Sequence, residues 1–199
     1  MAEKKEKLVK INIGCRNRPL PTYINVDIDP TNELADVVDD GLTLSTFKDG
    51  SADLIESVHM LEHLSLSGYK QALLVWFSKL KPGGVVRISV PDMEKFSALL
   101  LLTGDKSLVA SGFYGSQLDE WDFHRSLHTR KGLSADLECS GFTNIREWDW
   151  RTTFPHNYVD SFASAYFPHF RKNFIMDNGK GVDLGGVCMS LNLEATKPA

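Results

Sequence analysis

Apolar residues recur along this chain in two alternating rhythms. Short apolar runs bounded by turn residues predict strands at LVKINI (8–13), TYINVD (22–27), ADVV (35–38), ADLIESV (52–58) and GVVRISV (84–90). Two later runs, TNIREWDW (143–150) and GVCMSLNLEAT (186–196), bring the expected strands to seven. Longer segments with one apolar face predict helices. In SGYKQALLVWFSKL, Tyr69, Leu73, Trp76 and Leu80 share a face, with Ser67 as cap and Gly83 and Gly84 just past the end. PDMEKFSALLLLTG opens with Pro91 in its first turn and stops at Gly104. TRKGLSADLECSG is capped by Thr129, buries Leu133 and Leu137, and ends at Gly141. Strands that alternate with turns and helices predict an α/β sheet with parallel strands.

The first two crossovers are too short to follow that rule in full. Seven residues separate Gly14 from Thr22, and seven separate Asp27 from Ala35, whereas a parallel crossover with a helix takes about a dozen or more. Seven extended residues reach roughly 23 Å, barely the length of a strand of about 17–20 Å. These crossovers are therefore expected to be nearly straight and helix-free, which suits Pro19 and Pro21. One side of the sheet then lacks helical cover near its start. Either the aromatic segment SFASAYFPHFRKNFIM (161–176) or a second subunit is expected to fill that space.

Length and charge narrow the function classes. At 199 residues the chain fits one domain spanning 1–199, with 151–186 as a lid or subunit-contact insertion before the last strand. A net charge of -4 with interspersed Lys and Arg gives no basic stripe, which excludes nucleic acid as the expected partner and leaves a small-molecule or carbohydrate-like one. The start, MAEKKEKLVK, is charged and carries no apolar export signal, and the apolar run SALLLL (97–102) is far too short to span a bilayer. Three well-separated cysteines, Cys15, Cys139 and Cys188, suggest neither a disulfide framework nor a metal knuckle. A cytoplasmic setting follows as an expectation.

One short stretch invites a metal reading. In ESVHMLEHL (56–64), His59, Glu62 and His63 stand in the order H-x-x-E-H, the zinc signature of a class of metallopeptidases. That chemistry needs a helix through both histidines. The run ADLIESV predicts a strand to about Val58 instead, which puts His59 at its carboxyl end and His63 on the next element. No third ligand stands at a telling spacing, so no metal site is expected and zinc hydrolysis remains a remote alternative.

In an open α/β sheet the ligand crevice lies outside the carboxyl ends of the strands, where the strand order reverses. Gly14 and Cys15 end the first strand, and a glycine there lets the main chain approach a ligand. Asp27 ends the second strand, placed to accept hydrogen bonds from the vicinal hydroxyls of a ribose, while Asp29 caps the following turn. A dinucleotide site wants G-x-G-x-x-G and an acidic residue about 20 positions on. Only Gly14 is present, which argues against NAD.

The ordered set INIGC, INVDID, ADVVDDGLTL, DGSADLIESVHMLEHL, LKPGGVVRISVPD and LECSGFTNI, over roughly 8–147, resembles a class I S-adenosylmethionine-dependent methyltransferase of type 11, in a small variant with shortened crossovers. The resemblance implies a Rossmann-like seven-stranded, mostly parallel sheet with an antiparallel last strand. It implies S-adenosylmethionine as cofactor, with Gly14 and Cys15 against the methionine part and Asp27, followed by Ile28, on the ribose. Asp40 and Leu42 would flank the adenine, and Ser57 to His59 would line the crevice near the sulfonium. Lys81 to Gly84 would form a structural turn before the fifth strand.

Arg16 departs from this pattern, standing where a second glycine is usual. Its side chain either obstructs the cofactor or pairs with the methionine carboxylate. Such folds also serve as binding or regulatory modules without turnover, which is the alternative reading. For transfer to oxygen a general base helps. In DEWDFHRSLHTR the candidates are His124 and His128, with His124 the better placed, and His59 is a further candidate.

Overall fold

A computed structural model describes residues 7–149 and 188–199, together with the backbone of strand residues 166–167, 174–177, 180–183 and 187. Seven strands form the main sheet: β1 (Lys10–Ile13), β2 (Ile24–Asp27), β3 (Val37–Val38), β4 (Ala52–Val58), β5 (Leu80–Pro91), β6 (Thr143–Glu147) and β11 (Ser190–Thr196). Their order is β3-β2-β1-β4-β5-β11-β6. Strands β1 to β5 pair in parallel, and β11 runs antiparallel to both of its neighbours. The strand predicted over 186–196 is broken at Met189 into β10 (Val187–Cys188) and β11, and β10 pairs with β7 (Tyr166–Phe167). A further antiparallel pair joins β8 (Phe174–Asp177) to β9 (Lys180–Asp183).

Both early crossovers are helix-free, as their lengths require. Chain 14–23 returns from β1 to β2 and 28–36 from β2 to β3 without a helix. The segment expected to cover this side, 161–176, lies mostly outside the described residues.

Helix α1 (Leu66–Lys79) is capped by Ser65, whose Oγ accepts from Gly68 N, and not by Ser67. A cap stands just before the helix and accepts from the N–H two or three residues on, whereas Ser67 lies inside the first turn. The helix also ends before the glycine pair. Leu80 turns extended and leads directly into β5, and Gly83 takes the left-handed turn at φ 78° within it. In α2 (Met93–Thr103) the cap is Asp92, which accepts from Glu94 N and Lys95 N; Pro91 is the last residue of β5 and no part of the first turn. Gly104 stops α2 in the left-handed conformation. Helix α3 (Ala110–Tyr114) was not legible in the sequence, and α4 (Arg130–Cys139) has Thr129 as cap with Leu133 and Leu137 buried.

Alternation along the strands separates two faces. Ile11, Ile13, Val26, Ile55 and Ile88 join Leu73 and Trp76 of α1 and Leu137 of α4 in one core. The intervening residues build a polar row across the sheet: Asn25, Asn12, Glu56, Arg87, Glu194 and Arg146 stand side by side on β2, β1, β4, β5, β11 and β6. Asn12 Nδ2 donates to Asn25 Oδ1 at 3.0 Å, and Arg87 and Arg146 each donate from Nε to Glu194, at 2.9 and 2.7 Å. Tyr23 donates its hydroxyl to Glu56 Oε2 at 3.0 Å.

Glu56 has no solvent exposure, and its Oε1 makes no hydrogen bond among the described residues. Burial pushes its carboxyl up to about 7, against the pull of Tyr23, Arg87 and Lys10. Between the ordinary carboxylate value and 7 the folded chain therefore holds a proton that the unfolded chain has released. Stability from this group is complete at low pH and is lost as pH rises through 7. We expect Glu56→Gln to stabilise the fold at pH 8 by up to about 3 kcal/mol and to flatten the decline between pH 5 and 8. Urea denaturation of both proteins across that range checks it, and parallel curves would refute it.

Candidate functional site

The strand order reverses between β1 and β4, so the crevice opens at their carboxyl ends. Gly14 follows β1 at φ 69°, and its N–H and that of Cys15 both donate to Val26 O of β2, at 2.8 and 3.0 Å. The loop then folds over the end of β2. Asp27 is buried there, with Oδ2 accepting from Arg16 N at 2.6 Å and Oδ1 from Asp29 N at 3.0 Å. Oδ2 also accepts from the Cys15 thiol at 3.8 Å, so it is Oδ1 that keeps a second lone pair. Asp29 caps its turn as expected, accepting from the N–H and hydroxyl of Thr31.

Gly14 has a second reason to be glycine. A methyl group on it would meet Met60 Cγ at 2.7 Å, and one on Gly41 would meet Ile13 Cγ2 at 2.5 Å and Met60 Cε at 2.6 Å. Met60 thus lies across both glycines, a contact the sequence did not announce. Asp40 accepts from Leu42 N at 2.8 Å, and Asp39 anchors the same loop by accepting from Ser45 and Thr46. Trp76 of α1 donates to Gly41 O at 2.7 Å and fixes the loop to the core.

Arg16, at φ 43°, turns its side chain outward. Its guanidinium pairs with Asp119 at 2.6 Å, an exposed contact to the loop before α4. Cys15 lies 3.8 Å from Asp27 Oδ2, and burial and that carboxylate push its thiol up to about 12, so it stays protonated. Ile28 is partly exposed beside the crevice. Ser57 is fully buried, and its Oγ has no hydrogen bond among the described residues.

The ESVHMLEHL stretch is the strand-to-turn junction that its apolar pattern predicts. β4 ends at Val58, His59 takes φ 49°, and Leu61–His63 form one turn of 3-10 helix. A left-handed non-glycine residue stores strain of the kind found at functional positions. His59 Nδ1 meets Glu62 Oε1 at 2.9 Å, and its Nε2 meets Ser190 Oγ of β11 at 3.0 Å.

Residues distant in sequence complete this corner. Arg125 N and Ser126 N donate to Glu62 O, at 2.8 and 3.1 Å, and draw the 115–128 loop against the turn. His124 thereby faces His63 edge-on, ring centroids 4.9 Å apart, with its Nε2 3.9 Å from Glu62 Oε1. Burial pushes Glu62 up, but His59 first and then His63 and His124 hold it down, to about 2. Burial pushes His124 down, against the opposing pull of Glu62, so at neutral pH its ring is uncharged. His128 is also buried and pushed down, held between Ser126 Oγ and the edge of Tyr69. Of the three candidate bases, His59 and His124 are the ones that approach Glu62 Oε1. A third group beside Glu62 and His63, which the sequence spacing did not supply, is His124.

Among the described residues no helix is long and apolar enough to cross a membrane. No protein-family model matches the chain, and no curated protein sequence matches it. Solved structures do. An S-adenosylmethionine-dependent methyltransferase of Archaeoglobus fulgidus superposes with a TM-score of 0.58 at 17% identity, over 97% of this chain and 87% of that one. One of Thermotoga maritima gives 0.58 at 14%, over 98% and 84%. One of Methanosarcina mazei gives 0.55 at 13%, over 97% and 94%. At such identities the likeness shows the fold: this chain carries the class I methyltransferase fold, with the antiparallel last strand that the sequence resemblance implied.

Proposed function

We propose that this chain transfers the methyl group of S-adenosylmethionine to an oxygen atom of a small molecule or sugar. The observation that supports it most is the pairing of a buried carboxylate, Asp27, with the main chain of residues 14–16 at the strand-order reversal of this fold. When bound, the cofactor supplies a methyl group on a positively charged sulfur. In this reading Asp27 holds one ribose hydroxyl on the open lone pair of Oδ1 and the other on Oδ2 in place of the weak Cys15 thiol contact, with Ile28 alongside. Gly14, Cys15 and Arg16 hold the methionine end, where Arg16 exchanges Asp119 for the methionine carboxylate. Asp40 and Leu42 bracket the adenine, and Ser57 stiffens the floor beneath the sulfonium.

Displacement at a sulfonium is in-line, so the protein contributes chiefly by position and by exclusion of water. His124 is the preferred base: its Nδ1 donates to Gly112 O at 2.8 Å, which fixes the tautomer and leaves the Nε2 lone pair for an acceptor proton. His59, oriented by Glu62, is the second candidate.

Calorimetric titration with S-adenosylmethionine and with its demethylated product tests the reading. We expect one site per chain for each. Absence of binding by either compound would overturn it. Binding without transfer to any hydroxylated acceptor would instead favour a binding module, a reading that the packing of Met60 across Gly14 supports.

A further inference from the structure

Glu62, His63 and His124 form a constellation that methyl transfer by itself does not explain. Each offers one ligand atom, and these atoms lie within 4.8 Å of one another. Ligands around one ion at about 2.1 Å lie roughly 3 to 4 Å apart, so side-chain shifts of about an ångström close the set. They come from two segments that main-chain hydrogen bonds already hold together, Arg125 N and Ser126 N on Glu62 O.

The ring orientations point the same way. A carbonyl only accepts, so a ring nitrogen facing one carries a proton. His63 Nδ1 faces Phe123 O at 3.2 Å, and His124 Nδ1 faces Gly112 O at 2.8 Å. In either ring Nε2 is then the nitrogen left to offer a lone pair to an ion. Histidines that bind metals are held in this manner, through the second nitrogen on a carbonyl or carboxylate. The carboxylate is 1% exposed, and its Oε2 has no hydrogen bond among the described residues. A buried anion with an unfilled oxygen, facing two imidazole nitrogens, lacks a positive charge at its centre. His59 supports the arrangement from behind, on Glu62 Oε1 and Ser190 Oγ.

We propose that Glu62, His63 and His124 bind one divalent first-row transition cation, zinc first among them, at the carboxyl end of β4. Two imidazoles and one carboxylate suit such an ion better than Mg²⁺, which prefers oxygen ligands and retains its waters. Three protein ligands leave a position for an oxygen of a bound molecule. The metal site stands on its own geometry; its use to seat the oxygen of a methyl acceptor rests on the reading above, and with an ion on Nε2 of His124 the role of base passes to His59.

The test uses the full chain, treated with chelator and dialysed, then titrated with Zn²⁺ alone. We expect one equivalent per chain, and visible absorption bands when Co²⁺ replaces it. His63→Ala and His124→Ala each lower the affinity by at least tenfold, and Glu62→Gln does the same with the least change of shape. Thermal melts of each metal-free variant confirm that it is folded. Cys139→Ala, at an exposed thiol outside the site, leaves stoichiometry and affinity unchanged. Equal zinc uptake by the parent and the His63→Ala/His124→Ala protein overturns the proposal, as does an affinity for Mg²⁺ that matches Zn²⁺. S-adenosylmethionine titration of the metal-free chain reports separately on the methyltransferase reading, so failure of one does not imply failure of the other.

Discussion

Asp27→Ala is expected to lower the affinity for S-adenosylmethionine by about 100-fold or more. Two hydrogen bonds from ribose hydroxyls to a carboxylate contribute about 1.5 kcal/mol each at the low end, and about 3 kcal/mol is roughly 100-fold in Kd. The alanine also releases Arg16 N and Asp29 N, the two main-chain donors that shape the crevice rim. Asp27→Asn is the informative companion. It keeps one oxygen for these donors but replaces the other with a donor that faces an N–H, so it should fall between the parent and the alanine variant. Calorimetry gives the affinities, and circular dichroism shows that the variants are folded. Parent-like binding by a folded Asp27→Ala protein would move the cofactor away from β2.

Trp76→Ala is expected to cost about 3–5 kcal/mol of stability, read from the urea midpoint at constant slope. Among the described residues Trp76 is the largest fully buried side chain, and it packs in the core against the sheet. Its Nε1 also donates to Gly41 O, so the variant leaves that carbonyl without its buried partner. Trp76→Phe separates the two contributions, since it retains most of the ring while it removes the donor. A phenylalanine variant about 1–2 kcal/mol below the parent assigns that difference to the indole hydrogen bond and the smaller ring. If alanine and phenylalanine variants were equally unstable, packing would not be the source of the loss.

Elements whose signals were local could be read from the sequence. Strand β4 occupies the residues predicted for it, because the short apolar run ADLIESV follows directly on a turn-like stretch, Lys48–Ser51. Thr129 and Gly104 act where they were expected, since caps depend on neighbours within one turn. The cap of α1 was a near miss of the same kind: two serines flank Leu66, and only the geometry shows that Ser65 reaches Gly68 N. What the sequence places at strand ends is found there: Gly14 follows β1, Asp27 ends β2 and Asp40 follows β3, because parallel strands bring their carboxyl ends to one side of the sheet. The pairing of Arg16 with Asp119, the packing of Met60 on two glycines and the approach of His124 to Glu62 are contacts over long sequence separations. No spacing rule within a single segment encodes them. The GSQLDEWDFHR stretch gave one usable hint, a histidine shortly before a capped helix.

The position of β11 has a consequence for how the molecule is made. It inserts between β5 and β6, and its pairing with β5 extends from Ser190 to Thr196. On a ribosome, both flanking strands leave the exit tunnel well before their shared partner. Until Thr196 emerges, β5 and β6 present unpaired edges, and unpaired edges are templates for association with other chains. The nascent protein is therefore most in need of chaperone protection in the interval after β6 has left the tunnel and before β11 has, while the seam between β5 and β6 is still open.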